Sequence, residues 1–482
     1  MNVFLRVAVT VAVMTMMVAL VAGCGESKAQ KEKNARAETV ARGLSESKVQ
    51  NEAERAAAQP FTGWYTDNPA ASVFNISTAE QLLGLAQLVN GGNGFSGKTI
   101  TLANDIDLSV YGKGSAFNDG KGWIPIGNSK DRLFTGMFDG NGKKIRGLYI
   151  NDTTLEYAGL FGCVGDTVKN LGVENASITG GDNVGGVVGS IDRSYWRQRG
   201  IRDFGYVVNC HFTGAINGND NVGGVAGSCA YGTVIGSHST GTIIGNSRVG
   251  GVVGNVAGGA IIGNYSTGTV NGIIDVGGVA GRVGIGVDLG HHTGDYGYGG
   301  IISLNYNTGA VTGRDYVGGV VGIVASCSTA GNYSTGAVTG NDYVGGVAGG
   351  IIGGAKRCVD CDCEDENPVY CWYTGSTVTD CAALNPSVKG KGSNVGRVVG
   401  EIANENGTIS KNIAFSALTN ASGNTNWSNK GADAKDGEDI TAEEIRADGT
   451  IGARFVGKPW AIENGKLPGV RGKAVDMPVH LR

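Results

Sequence analysis

Five cysteines crowd one short stretch: Cys358, Cys361, Cys363, Cys371 and Cys381. Their spacing offers two chemistries, a thiolate metal site or a disulfide framework. Acids run between them, namely Asp360, Asp362, Glu364, Asp365 and Glu366. A second stretch holds His291, His292 and Asp295 beside Tyr296 and Tyr298. An adjacent histidine pair in a glycine loop is a weak ligand pattern, and no metal site is expected there. A third carries Arg193, Tyr195, Trp196, Arg197, Arg199, Arg202, Phe204 and Tyr206. Aromatic rings and guanidinium groups are the usual anchors of protein interfaces, and aromatic faces also stack on sugars. Asp182, Asp220, Asp315 and Asp342 recur at equivalent places. Carboxylates so placed could bind calcium, but Asp is also a good turn residue, and the turn reading is preferred. No G-x-S-x-G, P-loop or H-E-x-x-H motif occurs, so no catalytic residue is assigned.

These groups need a scaffold, and the scaffold is written as a repeat. Val-Gly-Gly-Val-small-Gly recurs at 183–189, 221–227, 248–254, 275–281, 316–322 and 343–349, after an opening Gly159-Leu160-Phe161-Gly162. A worn copy ends the series at 396–400, where Arg397 replaces the second glycine. That replacement reads either as an outward-facing position or as the end of a stack. From Gly159 the marker glycines advance by 27, 38, 27, 27, 41 and 27 residues. A unit of this size cannot bury a core by itself. Stacked units can, because each strand pairs with its equivalent one coil further on. The predicted fold is therefore all-β: a right-handed parallel β-helix (β-solenoid) of about eight coils.

The long steps are insertions at about 190–208, 282–300 and 350–370. All three follow the glycine signature, so they should project from one corner on coils two, five and seven. Neighbouring loops would then lie roughly 10–15 Å apart along the axis at about 4.8 Å per coil. In the uninterrupted coils a second landmark comes thirteen residues after the marker, clearest as Asn264-Tyr265-Ser266-Thr267-Gly268. It aligns His211, His238, Tyr265, Tyr306, Tyr333 and Trp372. The ladder reads either as a carbohydrate platform or as an aromatic stack stabilising one face, and the stack is preferred.

Composition agrees. The chain has 482 residues, 85 of them glycine against an average share of about 7%, and only 8 prolines. A net charge of −4 gives no case for nucleic acid as a partner. The chain divides into 1–24, an apolar leader; 25–59, a charged flexible tether; 60–157, an N-terminal capping region with a short helix near 79–90; 158–400, the repeats; and 401–482, a C-terminal capping segment or small module with a helical piece at Thr441–Ala447.

Two resemblances add to this. Val21-Ala22-Gly23-Cys24, closing an apolar run behind a basic start, resembles a bacterial lipobox. It implies a lipoprotein signal peptide, lipidation at Cys24 and a membrane partner through the lipid. Gly25-Glu26 after the cysteine leans towards the outer membrane. Export also favours disulfides over zinc, drawing Cys327 into a set of six with Cys358, Cys361, Cys363, Cys371 and Cys381. Fifteen connectivities are open, and Cys163, Cys210 and Cys229 are left unexplained. The repeated G-[LV]-[FVA]-G phrase with N-Y-x-T-G, preceded by "DIDLS" and "WIPIG", resembles the GLUG motif over roughly 73–400. That family implies envelope-attached or secreted proteins, including adhesin-like chains and the non-catalytic part of some immunoglobulin A metallopeptidases. The expected function is a cell-surface adhesin or interaction scaffold without cofactors, whose partner is a host or matrix protein or a glycan. The alternatives are a carbohydrate-active β-helix lyase or hydrolase, and a structural envelope spacer.

Overall fold

A computed structural model describes residues 28, 32–42, 59–194, 203–284, 300–353, 357–359, 370–372, 375–403 and 406–482. Two compact units divide the chain, 1–58 and 59–482. In the first, residues 32–42 form an almost wholly exposed helix.

The second unit is a parallel β-solenoid. One uninterrupted coil shows the plan: Thr233–Ile235, His238–Ser239, Thr242–Ile244, Ser247–Gly250 and Val253–Ala257, after which Ala260–Ile262 pairs back onto Thr233–Ile235. Each strand is too short to stand alone, and each finds its parallel partner one coil along. One ladder has 11 strands, from Val73–Ile76 to Gly407–Ser410. A second has 8, from Phe161–Val164 to Val399–Ile402, and a third has 7, from Val184–Gly185 to Val395–Gly396. Register is residue for residue: Val184, Val222, Val249, Val276, Val317 and Val344 form one column, all fully buried. The core is built from such columns, so each valine packs on its own copies.

The marker glycines now have a physical reason. A Cβ on Gly224, Gly251, Gly278 or Gly319 would overlap the carbonyl oxygen of the marker glycine one coil further on. The position faces into the stack, where successive coils press backbone on backbone. Arg397 follows the last of these glycines and is fully buried, so the outward-facing reading is corrected. It marks the end of the stack: with no glycine coil beyond it, its side chain turns into the C-terminal segment. There its Nε donates to the Asp436 carbonyl at 2.8 Å and its Nη1 to Asp439 at 2.5 Å.

The long ladder starts well before the first glycine signature. Val73–Ile76, Thr99–Leu102 and Met137–Asp139 are its first three rungs. The helix Ala79–Asn90 lies between the first two, burying Leu82, Leu83, Leu85, Ala86 and Val89. Its cap is Thr78, which accepts from the Gln81 amide at 3.3 Å, while Gln81 accepts from the Ser77 amide at 2.7 Å.

At the other end, Ile413–Phe415 and Glu438–Ile440 continue the pairing, and Thr441 caps the helix Ala442–Ala447 through a capping box with Glu444. The remaining residues turn back as a strap along the face that carries the aromatic ladder. Tyr333 donates its hydroxyl to the Pro468 carbonyl at 2.5 Å, and the rings of Phe455 and Trp460 pack on it. Arg471 donates to His238 Nδ1 at 2.9 Å, and His480 donates to the Leu384 carbonyl at 2.8 Å.

Candidate binding corner

The three insertions share one exit and one return. They leave from Val188–Ile191, Ala280–Gly284 and Ala348–Ile352, all in the 8-stranded ladder. They come back into Tyr206–Val208, Ile301–Ser303 and Ser376–Thr379, all in the 11-stranded ladder. Uninterrupted coils cross this corner with one residue in the left-handed region: Tyr231 (φ 60°), Gly258 (φ 71°) or Ser326 (φ 55°). The first and second loops stand three rungs apart, about 14 Å, and the second and third two rungs apart, about 10 Å. Two necks are antiparallel hairpins: Arg193–Ser194 pairs with Asp203–Phe204, and Arg357–Val359 pairs with Tyr370–Trp372.

Tyr195, Trp196, Arg197, Arg199 and Arg202 lie outside the described residues, as do His291, His292, Tyr296, Tyr298, Cys361, Cys363 and Cys24. What the structure gives is the corner from which those loop residues depart. At its first neck Lys130 stands 3.6 Å from Asp192.

The other candidates resolve differently. His211, His238, Tyr265, Tyr306 and Tyr333 do stack, with ring centroids 4.4–5.2 Å apart. Trp372 is not the next rung; Ala382 pairs with Tyr333 instead, and Trp372 belongs to the third loop's neck. The letters Cys371-Trp372-Tyr373-Thr374-Gly375 copy the landmark, but its register falls at Cys381-Ala382. A sugar needs an open ring face, and here the faces are taken by neighbouring rings. The strap covers much of what remains, burying Tyr306 and Tyr333. Burial, with the charges of His211 and Arg471, pushes the His238 imidazole down to about 3. It therefore stays neutral and accepts from Arg471. His211 is held at the far end by Glu174, 3.1 Å away.

Each recurring carboxylate already has turn or ion-pair partners. Asp182 accepts from Asn219 at 2.8 Å, Asp220 pairs with Arg248 at 2.9 Å, and Asp315 pairs with Arg314 at 2.9 Å. Asp342 accepts from the amides of Tyr343 and Asn394, both at 3.1 Å. Among the described residues no group of three or more His, Cys, Asp or Glu is placed to hold a metal ion.

The set of six cysteines needs correction. Cys327 and Cys381 are free thiols buried within the coils, as are Cys163, Cys210 and Cys229. Burial pushes the thiols of Cys210, Cys229, Cys327 and Cys381 up to about 12, so none is a ready nucleophile. Cys210 and Cys381 sit in a column of buried polar residues with Ser237, Asn264, Asn305, Asn332 and Asn412. The Asn264 amide donates to Asn305 Oδ1 at 2.8 Å, and the Asn305 amide donates to Asn332 Oδ1 at 2.9 Å. Each Nδ2 also caps a strand carbonyl, such as Ile261 at 2.9 Å from Asn305. This ladder was not foreseen, although its signal stood in the sequence as the Asn of each Asn-Tyr landmark.

No family model matches the chain. Over 106 residues it is 39% identical to halomucin of Haloquadratum walsbyi, a match covering 22% of this chain and 1% of that protein. Over 79 residues it is 44% identical to a "Putative Gly-rich membrane protein" of Evansella cellulosilytica, covering 16% of this chain and 8% of that one. The matches thus span less than a tenth of either relative's length. A crystal structure described as a "putative immunoglobulin A1 protease" from Bacteroides ovatus aligns over 83% of this chain and 92% of that one, at 18% identity and a TM-score of 0.43. Among the described residues no helix is long and apolar enough to cross a membrane.

Proposed function

We propose that this chain is a non-catalytic interaction scaffold of the bacterial cell surface, tethered by a lipid on Cys24, whose binding surface is the three-loop corner. One observation carries the reading: three insertions interrupt an otherwise regular rod, and all three leave from one ladder and return to the same other ladder. Per-repeat insertions of a solenoid map to one face, which is often the binding face. A parallel solenoid fixes the separation of the loops' exits, and the sequence between those exits carries Trp196, Arg197 and Tyr296; the partner is a host or matrix protein or a glycan. The likeness of the repeat to GLUG arrays of envelope proteins supports the same reading.

The test replaces each loop by the short Ala257-Gly258-Gly259 crossing of an uninterrupted coil. The full chain and the three-loop deletion are compared on matrix-protein and glycan arrays. Binding should vanish in the deletion variant while its β circular dichroism and melting are kept. Retained binding moves the site off the corner, and an absence of binding by either chain leaves the spacer. Reducing-sugar release by the full chain, abolished in Asp315→Asn and Asp342→Asn, would overturn the non-catalytic reading in favour of a carbohydrate-active enzyme.

A further inference from the structure

We infer that Cys358 and Cys371 form a disulfide that closes the neck of the third loop. The neck is an antiparallel hairpin in which Arg357 faces Trp372, Cys358 faces Cys371 and Val359 faces Tyr370. Residues directly opposed in an antiparallel pair have Cα atoms about 4.5–5.5 Å apart. A disulfide needs roughly 4.4–6.8 Å. The backbone register thus brings these two cysteines within bonding range before any side chain is considered.

The rest of the molecule removes the competitors. Cys327 and Cys381, nearest in sequence, are locked inside the stack, with relative exposures of 4% and 0%. Cys381 also has its amide and its thiol engaged, the amide donating to Asn412 at 2.9 Å and the thiol to the Thr379 carbonyl at 3.2 Å. Four cysteines of the loop are then left, which allow three pairings. Only the pairing of Cys358 with Cys371 agrees with the hairpin register.

Formation is a thiol–disulfide exchange with a disulfide donor of the extracytoplasmic space. One cysteine thiolate attacks the donor's disulfide, forming a mixed disulfide and releasing a donor thiolate. The second cysteine's thiolate displaces the remaining donor sulfur. The donor leaves as a dithiol with two electrons and two protons gained, and the chain keeps the Cys358–Cys371 bond. The inference does not depend on the binding role of the corner, and its test reads the bond directly.

The full chain is equilibrated with oxidised and reduced glutathione, blocked with N-ethylmaleimide at low pH in urea, and cut with trypsin and an Asp-directed protease. Cleavage after Arg357 and before Asp360, Asp362, Asp365 and Asp380 separates all the cysteines of the loop. Mass spectrometry should find Cys358-Val359 linked to the 365–379 peptide. The Cys361→Ser/Cys363→Ser double variant should keep the link, and Cys358→Ser should free Cys371 for labelling. Cys358 linked to Cys361 or Cys363, labelling of both Cys358 and Cys371 in oxidised protein, or one equivalent of zinc retained on all four thiols would each overturn the assignment. Because the wild-type peptide map decides the point, a variant that fails to fold does not obscure it.

Discussion

At the scale of single residues, the repeat is a set of columns, and each column sets its own tolerance. The marker glycine tolerates little. A methyl group at Gly251 would meet both the Gly278 carbonyl and the Ser266 side chain. Gly251→Ala should therefore destabilise the rod by about 1–3 kcal/mol, the usual cost of overpacking. A urea midpoint equal to wild type would show that the coils can spread there at no cost. The asparagine column is stabilised differently. Asn305→Ala strands the buried Asn264 amide, an orphan costing about 1–3 kcal/mol. A loss of about 1–3 kcal/mol is expected, measured by the same unfolding experiment, and a loss below about 0.5 kcal/mol would mean that water replaces the amide. Both columns were visible in the sequence as recurring letters. Glycine's role was legible because few reasons exist to repeat it. Asparagine's role was not, because a turn and a buried hydrogen-bond ladder use the same residue. Cys381 looked like part of a disulfide set, and Cys210 had no explanation, for a related reason: a cysteine filling an asparagine's place is recognisable only once the register is known.

At the scale of elements, the strap after Ala447 is the largest feature that the pattern of the chain did not disclose. It has no repeat and little regular structure, and it lies along the side of the rod as well as at its end. What attaches it is chemically specific: a neutral His238 accepting from Arg471. His238 is about 3 in the fold and about 6.5 when unfolded. Between those values the unfolded form binds the extra proton, so stability rises with pH across that window. The contribution is complete above about 6.5 and is lost as pH falls towards 3. His480, also lowered by burial, has the same sign. The opposing charges are local: Arg471 and His211 face His238, while His211 is balanced by Glu174, which Lys144 and Arg146 also hold. Glu174 is itself depressed, first by Lys144, and weakens the fold only below about 4.3. Hydrogen exchange of residues 455–475 should therefore speed up as pH drops from 6.5 to 4.5, after correction for the intrinsic rate. In His238→Phe, which keeps the ring stack, that acceleration should shrink by at least half. An unchanged pH profile would assign it to His480 or elsewhere.

At the scale of the whole molecule, the distance between loops is set by counting coils, and this makes it adjustable. The rod was legible because a 27-residue period of short apolar pieces has few other ways to bury itself. The shared corner was legible because the long steps fall after the same glycine signature. The interior of the loops was not legible, since nothing in them repeats. In a solenoid each unit contacts chiefly its neighbours, so removing one whole unit should leave the remainder foldable. Deleting residues 220–246 joins Asn219 to Ser247, which stands in the register position of Asp220. The first and second loops then move from three rungs apart to two, about 14 Å to about 10 Å. The strap stays anchored on Tyr333, so His211 takes the place of His238 under Arg471. A ligand that bridges the first two loops should bind the shortened rod about tenfold more weakly, or about 1.4 kcal/mol. Circular dichroism should remain that of the parent. Equal affinity in a folded, shortened rod would assign recognition to a single loop, and the common corner would then be a consequence of where coils tolerate insertion.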